Sequence, residues 1–341
     1  MIDLLVAGGG PAGLATALYG AKAGLEVVVV ERRSGVLDKA CGEGMMPHTV
    51  AHLEGLGIDP AGRPLRGIRY VAGERRVDAT FRAGKGRGVR RTVLHEALLD
   101  AAQLAGVRVV TESVGDVVQD GESVRACGLR ARYLAAADGL HSPIRRDLGL
   151  ARPAAGPRRW GIRRHVEMPP WTDSVEVHWA RGPEAGEAYV TPVGDDLVGV
   201  AILSSATGGF DAHVADFPEL RDRMAGFAHG PDRAAGPLRQ RVGNRTAGRV
   251  LLVGDAAGYI DALTGEGMGL AFGAAELLVD SIVTDRVGDY DRRWRQLTRR
   301  YRFLTAALVR AGTVAPLRRG IVPAAAALPG VFEGVVNQLA A

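Results

Sequence analysis

The stretch "VAGGGPAGLATALYGAKAGLEVVVVE", residues 6–31, decides the fold. It overlaps an apolar run at 2–7 (IDLLVA), which GGGPAG then breaks. Residues 12–23 carry Ala, Leu and Tyr at helical density, and Gly24 stands where such a helix would end. LEVVVVE, residues 25–31, reads as a second buried strand. Strand, tight glycine turn, helix and strand within about 30 residues make a βαβ unit.

Inside that unit Gly8, Gly10 and Gly13 take the G-x-G-x-x-G pattern. The first glycine permits the turn, the second lets the backbone approach a pyrophosphate, and the third lets helix and strand pack closely. Pro11 and Ala12 open the helix, whose free N–H groups and dipole favour negative charge. Glu31 ends the second strand, 18 residues after Gly13, with Arg32 beside it. An acid there can bind both hydroxyls of an unphosphorylated adenosine ribose. These residues fit NAD or FAD, and the bland alternative is an ordinary glycine turn.

The other end of the chain separates those cofactors. "RVLLVGDAAGYIDALTGEGMGLAFGAAELL", residues 249–278, reads as a strand, Gly254-Asp255, then a glycine-rich loop opening a helix over 267–283. The Asp255 carboxylate can accept from a ribityl hydroxyl. Around Gly265, Gly267, Met268 and Gly269, backbone N–H groups can face the pyrimidine edge of a flavin, where reduction places negative charge. A helix N-terminus stabilises such charge by about 0.3 to 2 kcal/mol. That is worth about 10 to 40 mV for a two-electron couple, so the helix tunes a flavin and does not drive its chemistry.

Residues 6–32, "LAAADGLHSPIRRDLG" (134–149) and "LLVGDAAGYIDALTGEGMGLA" (251–271) resemble, in order and spacing, the three fingerprints of the FAD-dependent para-hydroxybenzoate hydroxylase superfamily. "DKACGEGMMP" (38–47) and "GDAAGYIDALTGEG" (254–267) are most similar to its geranylgeranyl-reductase-like branch. The resemblance implies an α/β fold: a Rossmann-like FAD-binding domain (GR2-type) with an inserted, mostly antiparallel substrate sheet and C-terminal helices. It implies bound FAD reduced by NAD(P)H, Arg91 at the FAD phosphates or ribose, and Asp138 and Gly139 in a motif linked with FAD and reduced pyridine nucleotide. The expected segments are 1–60, 90–155 and 241–300 for FAD, 61–89 and 156–240 for substrate, and 301–341 as a helical tail. The second sheet is also legible in the residues themselves, since SVEVHWA, GEAYVTPV and DLVGVAIL are short strands between turns. Three extended runs at 113–118, 123–127 and 130–137 look like an antiparallel meander.

Cys41 and Gly42 adjoin the expected flavin site and are expected beside the cofactor. Cys41 reads as a small close-packed residue, a thiol assisting proton delivery, or a metal ligand. Met45 is a candidate for an apolar pocket wall. His178 and Tyr189 are candidate substrate contacts, with a solvated face and a core position as their bland readings. No residue is assigned as catalytic, because a cofactor that carries the chemistry leaves few side-chain signatures.

Composition narrows the partners. The chain has 341 residues, is 47% hydrophobic and carries 43 Lys and Arg against 38 Asp and Glu, a net charge of +5. This balance suits either a solvated surface or attraction of anionic ligands. No nucleic-acid motif accompanies it. Two cysteines, Cys41 and Cys127, build no disulfide scaffold and match no metal spacing, so no metal is expected. The start on an apolar strand and the lack of a basic leader or spanning segment make the expected location cytoplasmic. The basic, amphipathic "RRWRQLTRRYRFLTAALVR" (292–310) leaves room for peripheral membrane contact. The leading expected activity is NAD(P)H-dependent monooxygenation of a small aromatic or polyketide-like molecule. Reduction of a carbon–carbon double bond is the alternative. A noncatalytic FAD-binding protein and a dehydrogenase using NAD at the first motif alone are the other readings.

Overall fold

The computed structural model describes residues 1–180 and 186–340; residues 181–185 and 341, inside the expected segments 156–240 and 301–341, lie outside the described residues. Across the main sheet the strands run Thr246–Ala247, Val250–Leu252, Leu129–Ala136, Ile2–Ala7, Val27–Glu31 and Arg108–Thr111. From Val250–Leu252 to Arg108–Thr111 every pairing is parallel. Leu4 to Ala7 and Val28 to Val30 are almost wholly buried, as continuous apolar strands covered on both faces require. The helices Pro11–Lys22, Arg91–Leu104 and Gly267–Val283 pack here. Pro11 starts the first at a position where its missing N–H costs nothing, and Gly24, at φ +79°, follows its end.

Strand order reverses at Ile2–Ala7. The chain first builds outward through Val27–Glu31 and Arg108–Thr111, then returns to add Leu129–Ala136 and Val250–Leu252 on the other side. In such a sheet the crevice beyond the carboxyl ends of the strands at the reversal receives ligands. Gly8, Ala137 and Val253 directly follow the three strands that end there.

Of the expected meander, the second and third runs form as Val124–Ala126 and Leu129–Ala136, whereas the first strand is Val118–Gln119 and 113–117 is not strand. Its last strand goes further and joins the parallel sheet, because Leu134, Ala135 and Ala136 are fully buried against Ile2–Ala7.

A second sheet runs Arg233–Ala235, Trp160–Val166, Leu197–Ser204, Glu187–Gly194, Val175–Trp179, Gly67–Ala72 and Arg75–Thr80. It is antiparallel except where Val175–Trp179 meets Gly67–Ala72. Both faces are covered. One packs Val190, Val200 and Ile202 against Phe210 and Leu220; the other turns Val177, Tyr189 and Leu203 toward the C-terminal helices.

Those helices are Tyr290–Thr313, Ala315–Ala327 and Pro329–Ala340. The last is tied to the edge strand Arg75–Thr80 by Asn337, whose Nδ2 donates to the Thr80 carbonyl at 2.8 Å and whose Oδ1 accepts from the Arg82 N–H at 2.7 Å. Phe332 tilts against Tyr70 with ring centres 4.6 Å apart. Among the described residues no single helix is long and apolar enough to cross a membrane.

Candidate active site

The glycine turn is held by close contact. A Cβ on Gly8 would lie 2.5 Å from the Ala137 carbonyl oxygen, and one on Gly13 would lie 1.8 Å from the Gly8 oxygen. Gly8 also has φ +111°, a conformation that suits glycine. A Cβ on Gly10 would meet nothing closer than Arg91 at 4.0 Å, so the backbone there faces open space. Glu31 braces the turn: its Oε2 accepts from the Gly9 N–H at 2.9 Å, and its Oε1 accepts from Arg33 Nε at 3.0 Å. Burial pushes the Glu31 carboxyl up, but these donors outweigh it and hold the group below its ordinary value. Arg32 points into solvent; its neighbour Arg33 forms the ion pair. Buried His95 supplies a brace with no sequence signal, its Nε2 lying 2.8 Å from the Gly9 carbonyl oxygen.

Segments more than 200 residues apart in sequence close on the same crevice. Gly254, at φ +61°, presses so near the first helix that a Cβ would sit 2.6 Å from Ala12 Cβ. Arg145, buried and outside the expected set, joins the Asp-Gly and Gly-Asp turns. Its guanidinium donates to the carbonyls of Leu140, Asp255 and Ala256 at 2.8, 3.2 and 3.1 Å. One Asp138 oxygen caps the short helix after it by accepting from the Ile144 N–H at 3.1 Å, and the other is buried without a partner. Burial raises the Asp255 carboxyl, with Lys39, Arg91 and Arg145 pulling the other way.

These features meet the demands of FAD. Arg91 Nε and Asp138 Oδ1 are buried without a protein partner. Gly10, Pro11, Ala12, Arg91, Gly139 and Asp255 all line one cavity of about 590 Å³, which reaches on to Gly265, Gly267 and Met268 at the mouth of the helix Gly267–Val283. The two ends expected to hold a dinucleotide thus open onto a continuous space.

The stretch 38–47 runs between this space and the second sheet. Gly44 makes the close approach, since a Cβ would lie 2.9 Å from Val175 Cγ2, whereas one on Gly42 would meet nothing within 4 Å. The Gly42 carbonyl instead accepts from Thr191 Oγ1 at 2.8 Å. Cys41 lines the cavity, and burial pushes its thiol up, away from the thiolate that a nucleophile or metal ligand needs. Among the described residues no cluster of His, Cys, Asp and Glu is arranged to hold a metal.

Glu43, between the two glycines, escaped sequence reasoning. It is 1% exposed, sits at φ +59°, and lines the cavity. Its Oε1 accepts from the Arg91 N–H at 2.8 Å, and its Oε2 lies 2.6 Å from His165 Nε2. Arg163 donates to His165 Nδ1 at 3.0 Å, so the imidazole proton sits on Nε2 and is donated to Glu43. Arg163 pairs in turn with Asp38, which also holds Arg233 at 3.0 Å.

Of the candidate substrate contacts, Met45 and Tyr189 line the cavity and His178 does not. Tyr189 is anchored by its hydroxyl, which donates to the Leu263 carbonyl at 2.8 Å. His178 is a correction. In the antiparallel ladder it stands opposite Ala188, on the face away from the cavity, with Nε2 3.0 Å from Glu176 Oε2. That polar face is not solvated either: Glu176 and His178 are buried, and Glu176 also accepts from Trp171 Nε1 at 3.1 Å.

Beyond Cys41 the cavity is apolar. Ile68, Val177 and Leu203 from the second sheet face Ile321, Leu328 and Phe332 from the C-terminal helices.

Residues 1–207 match the FAD binding domain family, and the chain belongs to it. It is an FAD-dependent oxidoreductase with a Rossmann-like α/β core, a mostly antiparallel second sheet and C-terminal helices. It is 30% identical to the menaquinone reductase of Mycobacterium tuberculosis, across 84% of this chain and 80% of that one. It is 28% identical to digeranylgeranylglycerophospholipid reductase 1 of Methanothermobacter thermautotrophicus, across 86% and 82%. The structure of a geranylgeranyl bacteriochlorophyll reductase-like protein from Thermoplasma acidophilum shares the fold, with a TM-score of 0.80 at 22% identity over 94% of this chain and 91% of that one.

Proposed function

We propose that this flavoprotein saturates a carbon–carbon double bond in an isoprenoid chain, using NAD(P)H as reductant. The observation that carries this reading is the apolar arm of that cavity, which runs from the flavin-facing loops to the gap under the C-terminal helices. Its far walls offer a hydrocarbon chain aliphatic and aromatic contacts without a charged group to desolvate. The relatives' names point the same way: two are reductases, of a quinone and of a polyprenyl lipid. They favour reduction over the monooxygenation that the fingerprints first suggest.

Bound FAD would supply the hydride; Gly10, Arg91, Asp138, Asp255, Gly265 and Gly267 are the residues proposed to hold it. Saturation also needs a proton. Glu43 at the cavity wall is the group proposed to give it, taking each proton from solvent, with His165 Nε2 at 2.6 Å holding the carboxyl in position. Ile68, Val177 and Phe332 would exclude water from the reacting bond. Leu328 and Val331, 59% and 61% exposed, line the cavity as well and give it an apolar lip suited to a chain drawn from a membrane surface.

The test is anaerobic turnover of a geranylgeranyl substrate with NADPH or NADH. A product heavier by two hydrogens supports the proposal. A product that forms only with dioxygen and takes labelled oxygen from it refutes it.

A further inference from the structure

A second cavity, of about 340 Å³, opens on the other side of the Gly254–Asp255 turn. Its walls come from the segment 239–245 and the helix Tyr290–Thr313. Gly254, Asp255, Tyr259 and Gly267 line both cavities, so a single layer of residues separates this cleft from the flavin site.

The cleft is lined by Arg239, Arg241, Arg245, Arg295 and Arg302. One carboxylate, Asp291, serves two of them: Oδ1 meets Arg245 Nη1 at 3.2 Å and Oδ2 meets Arg295 Nε at 2.6 Å. Among the described residues no ion pair joins Arg239, Arg241 or Arg302 to an acid. Arg245 and Arg302 lie over the Trp294 ring at 4.1 and 5.8 Å from its centre, and Arg245 Nε also donates to the Ala257 carbonyl at 3.0 Å. Burial, then the neighbouring Arg295, lowers the Arg302 pKa against a smaller opposing pull from Asp291.

An arginine-rich chain places many guanidinium groups in solvent, and that alone would signify nothing. Here five arginines line one concave wall against two acids, Asp291 and Asp255, which leaves the charge unbalanced. We propose that this cleft is a subsite for a phosphate or diphosphate group. Arginine suits the task because its planar fork donates two parallel hydrogen bonds to phosphate oxygens. Such a group could be carried by a pyridine nucleotide, by a prenyl diphosphate, or by free phosphate. The inference does not depend on the proposed reductase activity, since it concerns binding alone.

Isothermal titration of the FAD-loaded full chain tests it, with inorganic pyrophosphate, NADP⁺, NAD⁺ and geranyl diphosphate as separate probes. Saturable one-to-one binding of pyrophosphate, weakened at least tenfold in Arg239→Ala/Arg302→Ala, supports the subsite. Arg302→Gln, at an exposed position, gives a milder second variant, and flavin content reports whether each variant has folded. NADP⁺ binding more tightly than NAD⁺ and geranyl diphosphate assigns the phosphate to a nucleotide. The reverse order assigns it to a lipid head group, and binding of pyrophosphate alone to the free ion. Absence of saturable binding by every probe overturns the proposal. So does a loss in Arg239→Ala/Arg302→Ala no greater than in Arg299→Ala, an exposed arginine of the same helix outside the cleft.

Discussion

Glu43 and His165 meet at 2.6 Å across 122 residues of chain, buried where the glycine stretch 42–44 crosses the second sheet. A buried acid at positive φ is costly to build, and it stands where the cavity turns from polar to apolar. Glu43→Gln keeps the shape and removes the exchangeable proton. Turnover is expected to fall about 100-fold, within the usual range for general acid catalysis, with flavin content retained. Steady-state rates and flavin absorbance measure both. An unchanged rate would remove Glu43 from the chemistry.

Gly254→Ala tests the clasp between the two ends of the chain. The new Cβ would start 2.6 Å from Ala12 Cβ, on a backbone at φ +61° that costs a non-glycine residue about 1 to 2 kcal/mol. The expected result is purified protein with little bound flavin and a lowered melting temperature. Wild-type flavin stoichiometry would show that the clasp is dispensable.

Asp255→Asn separates cofactor binding from stability. Burial raises this carboxyl from its ordinary 3.8, so the folded apoprotein keeps a proton that the unfolded chain has already lost. Wild-type apoprotein stability should therefore fall as pH rises from about 4 toward the raised value. The asparagine variant should lack that decline and melt higher than wild type at neutral pH. Its FAD affinity should drop by about 1.5 to 3 kcal/mol, the worth of a hydrogen bond to a charged acceptor. Thermal melts across pH and a flavin titration read the two effects.

His178→Ala should leave the KM for substrate unchanged, because the ring lies on the sheet face away from the cavity. Stability should fall by about 1 to 3 kcal/mol, as Glu176 loses a buried partner and keeps only Trp171 and Arg69. Chemical denaturation and steady-state kinetics report each quantity.

Val177→Phe narrows the apolar arm of the cavity. Longer isoprenoid chains should lose kcat/KM by at least tenfold relative to short ones, at a stability cost of about 1 to 3 kcal/mol for overpacking. A chain-length series compared with wild type is the measurement. Equal losses at every length would place the chain elsewhere.

The sequence by itself determined the βαβ start, the helix over 267–283 and the glycine positions, because each follows from propensity or from steric demands between near neighbours. Gly8, Gly13 and Gly254 each sit where a side chain would collide with backbone or a helix, and glycine at such spacing is visible in one dimension. The alternation in SVEVHWA likewise showed two faces. It could not show that the His178 face packs on Ala188 and Val190 while Val177 looks into the cavity, since both sides of this sheet are buried. Only the tertiary structure decided that, together with the Glu43–His165 pair, the Arg145 tie and the cleft of arginines. Each is a meeting of residues far apart in the chain, set by strand register and helix docking, and short-range preferences carry no record of it.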